Sequence, residues 1–299
     1  MIKEFSQLID IRFPFTSDNE VRRYLEQINT TWYNLKVLEK DFYLTGLLWW
    51  IGKELPDLSF KGGTCLNKIH FPYFRLSEDL DFSLPLWDTT PSQRKAIAHH
   101  MDERIQYLAD TMGRSLTISH HELIKKKKYT YLKYELKYKS IIQWEDTIKI
   151  ELSYTPKQYL NSVMGNIHHI YNNIVTEDPL FPNTKVQCLS IDEMIAEKVR
   201  ASLTRTTPVI RDYYDLRFLS QQWYNFNDYS DLIRLKCSES HNKRTIEKFI
   251  YYRDWIEYNT FDHLTKKIDS DLLPVIIDKS WFNLKIIYDQ LIAFKSQLI

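Results

Sequence analysis

The chain has 299 residues, of which 43% are hydrophobic and only six are glycine, so it is long enough for two domains with cores and is neither disordered nor of low complexity. Its 40 basic and 39 acidic residues give a net charge of +1, which excludes a surface that binds polyanions over its whole extent. Three widely spaced cysteines without a Cys-x-x-Cys pair indicate neither a disulfide framework nor a zinc knuckle. A charged N-terminus and the lack of a run of about 20 apolar residues predict a cytoplasmic protein with no membrane partner.

The first predicted elements are two helices and a short strand. Ser17 and Glu20 form a capping-box pattern, which predicts a helix that begins near Asp18. Residues 39–54 predict a second, largely buried helix, which ends before a proline. A strand that ends at Phe60 follows, so the next motif leaves the end of a strand.

That motif is a Gly-Gly-Thr turn formed by Gly62, Gly63 and Thr64, which opens a predicted helix through Lys68. Glycines allow positive φ, so successive backbone N–H groups can converge into an anion-binding nest at a helix start, where the Thr64 hydroxyl can assist. The turn therefore suits a triphosphate. Taken alone, however, Gly-Gly-Thr is most often only a tight turn.

The next predicted strand carries two acids, Asp79 and Asp81. Residues two apart in a strand share a face and lie about 7 Å apart, close enough for both carboxylates to bridge divalent cations. Leu80, Phe82 and Leu84 fall on the opposite face and can enter a core. Taken alone, the acids mark an exposed strand end, but downstream of a glycine turn they favour nucleotidyl transfer, in which two metal ions about 4 Å apart hold the attacking and leaving oxygens.

A third acid is expected from the segment Thr147–Tyr154, which alternates at period two. Its even-numbered positions from 148 to 154 are apolar, and Glu151 lies on the other, polar face. An acid there is most often only solvent-facing, but a strand paired beside Asp79 and Asp81 would bring it to the metals. We therefore predict Glu151 as the third ligand.

A lysine-rich segment enters the strand predicted at Tyr131–Tyr138. Its first part, predicted as the tip of a hairpin, consists of Lys125, Lys126, Lys127 and Lys128. In the strand, Lys133, Glu135 and Lys137 share one face. Two interpretations stay open: lysines that guard an edge strand, or a patch that follows the phosphates of a nucleic acid.

The remaining chain changes from mixed to helical periodicity. A helix from Pro91 to about residue 112 and a hairpin-rich segment, 115–155, are predicted to complete a mixed sheet. Residues 156–186, with three prolines, are predicted to form an irregular connector, and Ser190 with Glu193 then forms a second capping box.

Two charged residues of the helical part are of interest. Lys198 lies about two turns into the helix after Ser190, offset from its apolar stripe, where a lysine is usually solvated. Asp212 stands at the start of the next helix, either as a favourable cap or as a group that orients Lys198.

Six segments together resemble a known family. They are Glu39-Lys40-Asp41, FKGGTCLNK, RLSEDLDFSL, IKIELSY, IAEKVRA and RDYYDLRFL, and they span about residues 36–220. As a set they are similar to the AbiEii/AbiGii nucleotidyltransferase toxins of the DNA polymerase β-like superfamily, related to the MenT toxins. The chain departs from that pattern in a long spacer of 14 residues after Thr64, and in having threonine where serine is common.

The resemblance implies an α+β fold: a polymerase β-like nucleotidyltransferase domain with a mixed sheet over residues 1–186, followed by an all-helical C-terminal domain over residues 187–299. By residue, it implies phosphate-turn roles for Gly63 and Thr64, metal ligation by Asp79 and Asp81, and catalytic roles for Lys198 and Asp212. The other predicted nucleotide-binding residues are Lys61, Gly62 and Ser77, which flank these motifs.

The activity implied is transfer of a nucleotide from an NTP, with Mg²⁺ or Mn²⁺, to an RNA acceptor such as the 3′ end of tRNA. The biological setting implied is a bacterial toxin–antitoxin or phage-defence pair, with the antitoxin encoded nearby. Two rival interpretations remain: transfer to a small-molecule or protein hydroxyl, and a non-catalytic NTP-binding module. The lysine-rich segment argues against a small acceptor, and the intact acids argue against a silent module.

Overall fold

The structure is a computed structural model that describes residues 15, 17–29, 33–84, 89–111, 116–123, 131–154, 157–205, 207–239 and 253–298. The chain divides into two compact units. The first comprises residues 1–155 and 163–188, and the second comprises residues 156–162 and 189–299.

The first unit is built on a seven-stranded mixed sheet. Its strands are β1 Ser59–Lys61, β2 Asp79–Ser83, β3 Leu116–Leu123, β4 Tyr131–Tyr138, β5 Asp146–Ser153, β6 Val163–Asn166 and β7 Lys185–Cys188. They lie in the order β3-β4-β5-β2-β1-β7-β6, in which β2 pairs in parallel with β5, β1 pairs in parallel with β7, and the other neighbours are antiparallel. The predicted mixed sheet is confirmed.

The central strands have one apolar and one polar face. Buried and half-buried residues alternate along β4 and β5. In β2, Leu80 and Phe82 are buried, whereas Asp79 and Asp81 are half-buried. The apolar residues of one face form the core, as the period-two pattern predicts. The polar face therefore carries the candidate catalytic acids.

The prediction of an irregular connector over residues 156–186 is wrong in part. Val163–Asn166 forms the edge strand β6, which pairs antiparallel with β7, and β7 itself begins at Lys185. Both strands have four residues, and β6 is exposed along most of its length. A short, exposed strand shows no period-two alternation of hydrophobicity, so the sequence pattern does not distinguish it from a loop.

Helices cover this sheet. They are α1 Asp18–Ile28, α2 Leu35–Glu54, the short α3 Gly62–Cys65 with the π-helix Leu66–His70 after it, and α4 Pro91–Thr111. Ser17 caps α1 as predicted, since its side chain accepts a hydrogen bond from the N–H of Glu20. The buried Glu39 of α2 accepts hydrogen bonds from the Ser140 hydroxyl at 2.6 Å and the Ile141 N–H at 2.8 Å.

The second unit is helical in the part that the structure describes. Its helices are α5 Ile191–Thr204, α6 Ile210–Gln221, α7 Ser230–Glu239, α8 Arg253–Lys266 and α9 Leu284–Gln297, with short turns of 3₁₀-helix at Phe226–Tyr229 and Leu273–Val275 and of π-helix at Ile268–Leu272. A mixed-sheet domain followed by a helical part confirms the predicted α+β class.

The capping box predicted at the start of α5 forms only in its first half. Ser190 caps the helix, accepting from the N–H of Glu193 at 3.3 Å. The Glu193 carboxylate instead accepts hydrogen bonds from the N–H groups of Tyr159 and Leu160, both at 3.1 Å, and pairs with Lys236 at 2.5 Å. Glu193 thus ties residues 157–162 to α5.

None of the helices described for this chain has the length and apolar character needed to cross a bilayer.

Candidate active site

The three predicted metal-binding acids lie on the polar face of two adjacent strands. Asp79 and Asp81 are on β2, and β5 runs parallel beside it with Glu151 opposite Asp81. Neighbouring strands are about 4.8 Å apart, so this register brings Glu151 beside the acid pair. All three side chains are half-buried, open enough for a ligand and shielded enough for charge to matter.

The acid set fits hard divalent cations by its chemistry, because Mg²⁺ prefers carboxylate oxygens. Within the described residues, these three carboxylates do not all converge to within 4.8 Å of one another. Two cations shared among three carboxylates do not require all three to meet at one point.

Lysines share the polar face with the acids. Lys61 on β1 lies opposite Asp81, and Lys149 on β5 lies opposite Asp79. The Lys61 ammonium donates a hydrogen bond to the Ser153 hydroxyl at 2.7 Å. The predicted nucleotide-binding Lys61 therefore borders the acids, whereas Lys149 was not predicted because only the strand register places it there.

Gly62 is the residue of the turn with positive φ, at 79°. A Cβ atom there would overlap the Asp81 carboxylate, because that carboxylate lies directly against Gly62. Gly62 is thus required both by its backbone conformation and by the acid it faces. Of the two glycines predicted to permit positive φ, the structure uses the first.

The second glycine, Gly63, makes room for two polar side chains. A Cβ atom at Gly63 would overlap the guanidinium of Arg75 and lie 3.1 Å from the Ser77 hydroxyl. Arg75 is 2% exposed, and one of its nitrogens donates to the Leu76 carbonyl at 2.8 Å. Ser77, a predicted nucleotide-binding residue, therefore lies beside the turn, and Arg75 is a candidate phosphate-side cation that the sequence reasoning missed.

Thr64 holds the turn against the acidic strand. Its hydroxyl donates a hydrogen bond to the backbone carbonyl of Asp79. The Thr64 oxygen can still accept a hydrogen bond from a ligand, but its proton is already used in the bond to the Asp79 carbonyl. The contact couples the position of the turn to the position of the acids.

The helix after the turn is anchored in the core by an ion pair. The fully buried Lys68 ammonium donates to Asp41 of α2 at 2.6 Å and to the Thr45 hydroxyl at 3.0 Å, and Tyr171 also donates to Asp41 at 2.6 Å. Burial lowers the pKa of Lys68, and the Asp41 charge opposes that shift. These contacts fix the turn on α2.

Replacing Gly62 by alanine is expected to impair both folding and activity. An L-residue in the left-handed region costs about 1–2 kcal/mol, and the new methyl group must also displace the Asp81 carboxylate. We expect a lower Tm, and transfer activity that higher concentrations of Mg²⁺ or Mn²⁺ partly restore. Equal activity of Gly62→Ala and wild type would contradict this account of the turn.

The remaining predicted residues fall in two places. Lys198 and Asp212 belong to the second unit, where the Lys198 ammonium contacts Asp212 at 2.7 Å and Asp215 at 2.8 Å. Arg205 also pairs with Asp212. The alternative that Asp212 orients Lys198 agrees with this contact. Lys125, Lys126, Lys127 and Lys128 lie outside the described residues.

The fold is similar to that of a solved nucleotidyltransferase toxin. MenT4, a nucleotidyltransferase toxin of Mycobacterium tuberculosis H37Rv, superposes with a TM-score of 0.51 at 14% identity, covering 94% of this chain and 99% of that one. A protein of H. pylori described as a nucleotidyltransferase has a TM-score of 0.44 at 15% identity, covering 95% of this chain and 96% of that one. Among curated proteins, none matches the chain.

The family follows from a match of residues 49–284, more than half of the chain, to the model of the nucleotidyl transferase AbiEii toxin of type IV toxin–antitoxin systems. The chain belongs to this family and is a nucleotidyltransferase, which confirms the resemblance seen in the sequence. Membership implies a nucleotide substrate and an antitoxin partner.

Proposed function

We propose that this toxin transfers a nucleotide from an NTP to an RNA acceptor, the 3′ end of tRNA, in the cytoplasm, where both substrates occur. The modified RNA would stop growth or phage propagation until the antitoxin intervenes. The observation that carries the catalytic part is the register of Asp79, Asp81 and Glu151 on one sheet face beside the glycine turn.

In the proposed reaction, the acceptor hydroxyl oxygen attacks the α-phosphorus, the bond to the β-phosphate oxygen breaks, and pyrophosphate leaves. Asp79, Asp81 and Glu151 would hold Mg²⁺ or Mn²⁺, which when bound stabilises the charge on the attacking and leaving oxygens. Glu151 would also accept the proton of the acceptor hydroxyl, since it lies opposite Asp81 at the face where the acceptor must approach.

The triphosphate would lie along the turn. The backbone N–H groups of Gly63 and Thr64 begin a helix, where anions are favoured, and Lys61 and Ser77 flank them. Arg75 sits against Gly63 and would add positive charge on that side. Lys198, held by Asp212, is a further proposed phosphate contact.

The experiment that tests this function is incubation of the purified protein with each of the four α-labelled NTPs, Mg²⁺ and total tRNA. Label in tRNA from one or more NTPs, lost on removal of the metal with EDTA, is the expected result. Label in the protein itself, or in a small acceptor supplied with the RNA, would support the rival transferase. Binding of NTP without any labelled product would support the non-catalytic module.

The lysine run offers a separate prediction about the acceptor. Replacing Lys125, Lys126, Lys127 and Lys128 by serine should weaken RNA binding and leave NTP affinity unchanged. Each lost phosphate contact should reduce the slope of log affinity against log salt by about 0.7 for single-stranded RNA. The measurement is RNA affinity at several salt concentrations.

A matched control has the same change in net charge. Lys36, Lys95, Lys279 and Lys285 are exposed lysines, and their combined replacement by serine should leave the salt slope close to that of the wild type. Parallel lines for the wild type and the run variant would remove the nucleic-acid role of this segment. The alternative that lysines guard an edge strand is wrong for the strand that the run enters, because β4 is paired on both sides, with β3 and with β5.

A further inference from the structure

Three side chains that the proposed transfer does not use meet beside the phosphate turn. The sulfurs of Cys65 and Cys188 and a ring nitrogen of His70 all lie within 4.8 Å of one another. Both cysteines are buried and His70 is partly exposed. Within the part of the chain that the structure describes, no other three His, Cys, Asp or Glu side chains come so close.

The π-helix explains how Cys65 and His70 meet. Residues five apart on an α-helix, with 3.6 residues per turn, point to different sides. The segment Leu66–His70 has the wider i→i+5 turn, closed by the hydrogen bond from the Phe71 N–H to the Leu66 carbonyl at 2.8 Å. This wider turn brings His70 round towards the side of Cys65, and π-turns of this kind are frequent at functional sites.

The third member comes from a different part of the chain. Cys188 lies on β7, opposite Phe60 of the central strand β1 and opposite Val163 of the edge strand β6. Its sulfur lies 3.5 Å from the Val163 carbonyl. Sheet pairing therefore holds Cys188 against the start of the turn helix.

We propose that Cys65, His70 and Cys188 form a binding site for a thiophilic divalent cation, Zn²⁺. With Zn–S bonds of about 2.3 Å and a Zn–N bond of about 2.0–2.1 Å, tetrahedral ligands stand roughly 3.5–4 Å apart, which the observed cluster can adopt by small side-chain movements. Two thiolates neutralise the charge of the ion, and the partly exposed His70 side leaves the fourth position to water.

The donor set separates this site from the acidic face. Thiolate and imidazole ligands select zinc over magnesium, whereas carboxylates select magnesium. Two sulfurs and an imidazole nitrogen within 4.8 Å of one another are the soft donors that zinc prefers. Zinc binds thiolates, so its binding must release the thiol protons of the two cysteines.

A bound zinc ion would connect the phosphate turn to the sheet. Cys65 directly follows Thr64, whose hydroxyl bonds to the Asp79 carbonyl, and Cys188 sits on β7. An ion that binds the folded chain only should raise its Tm. The expected role is therefore to stabilise the turn and, through it, the strand that carries the acids.

The test uses the full chain, reduced and stripped of metal. Titration with Zn²⁺ in competition with a chromophoric chelator measures the zinc affinity, and Co²⁺ serves as a spectroscopic probe of thiolate ligation. The wild type should bind one ion per chain, show a Co²⁺–thiolate charge-transfer band and gain Tm with Zn²⁺. His70→Ala, on the partly exposed side, should bind Zn²⁺ at least about 100-fold more weakly and still fold, since even outer-shell changes cost about 10–100-fold.

The third cysteine, Cys237, supplies the matched control, since it is buried in the second unit and is not one of the three clustered residues. Cys237→Ser should bind Zn²⁺ like the wild type, and Cys65→Ser and Cys188→Ser should each lose the Co²⁺–thiolate band. Three results would each overturn the site. The reduced wild type would take up no zinc, it would form a Cys65–Cys188 disulfide instead, or the Cys65→Ser/Cys188→Ser double variant would take up as much zinc as the wild type.

Discussion

Replacing Asp79 or Asp81 by alanine is expected to reduce nucleotide transfer by about 1,000-fold or more, since bound metal supplies several kcal/mol of transition-state stabilisation and each 1.4 kcal/mol is a factor of ten in rate. Toxicity in growing cells should disappear with the activity. Each change removes one carboxylate from a face that also carries Glu151, so like-charge repulsion falls and the Tm should stay equal or rise.

The neighbouring Glu78 provides a matched control. It lies one residue before Asp79, and its carboxylate is 3.5 Å from Lys40. Glu78→Gln should keep near-wild-type transfer, because a partly exposed ion pair of this length contributes little. Initial rates with labelled NTP and RNA, measured at saturating Mg²⁺, give the comparison. Substantial activity in either aspartate variant would falsify the two-metal assignment.

The position of the acids on a polar sheet face could be predicted from the sequence, because their strands have one apolar and one polar face. The alternation in β2 and β5 separates Leu80 and Ile150 from Asp81 and Glu151 without any knowledge of tertiary structure. That β2 and β5 are parallel neighbours in this register is a long-range property, and alternation within one strand does not encode its partner. Alternation alone therefore could not place Glu151 beside Asp81, and its role as a metal ligand stays a prediction.

The residues that were missed depend on contacts between distant segments. In the sequence, Arg75 is a single basic residue before the acidic motif. Only the geometry of the turn shows that its guanidinium lies beside Gly63. The spacing of Cys65 and His70 matches no α-helical face, because the local π-helix changes the period. Cys188 follows them by more than one hundred residues, so cysteine spacing could not join it to the pair.

Lys198 illustrates a different limit. Its offset from the apolar stripe of α5 indicated a solvated lysine, but the residue is 8% exposed and contacts Asp212 and Asp215. The two aspartates are three apart on α6 and so share a face. A buried cation between two carboxylates satisfies both, and this is a tertiary arrangement that helical periodicity alone does not predict.

Replacing Lys198 by alanine should lower the free energy of unfolding of the helical unit by up to about 3–5 kcal/mol, because it removes the cation shared by two buried carboxylates, of which Asp212 keeps its pair with Arg205. Lys285→Ala is the control: this exposed lysine also pairs with an aspartate, Asp289, at 2.7 Å. Such a surface pair contributes at most about 1 kcal/mol. Denaturant unfolding of both variants measures the difference, and equal losses would show that Lys198 is not the centre of a buried network.

The proposed contact of Lys198 with the triphosphate needs a second readout that instability does not move. Lys198→Arg keeps the positive charge, but its planar fork need not reach both Asp212 and Asp215 as a compact ammonium does. We expect it to recover part of the stability. If Lys198 binds the triphosphate, kcat/KM for NTP per folded molecule should fall further in the alanine variant than in the arginine variant, at a temperature where both are folded. Wild-type kcat/KM in folded Lys198→Ala would restrict Lys198 to holding α5 against α6.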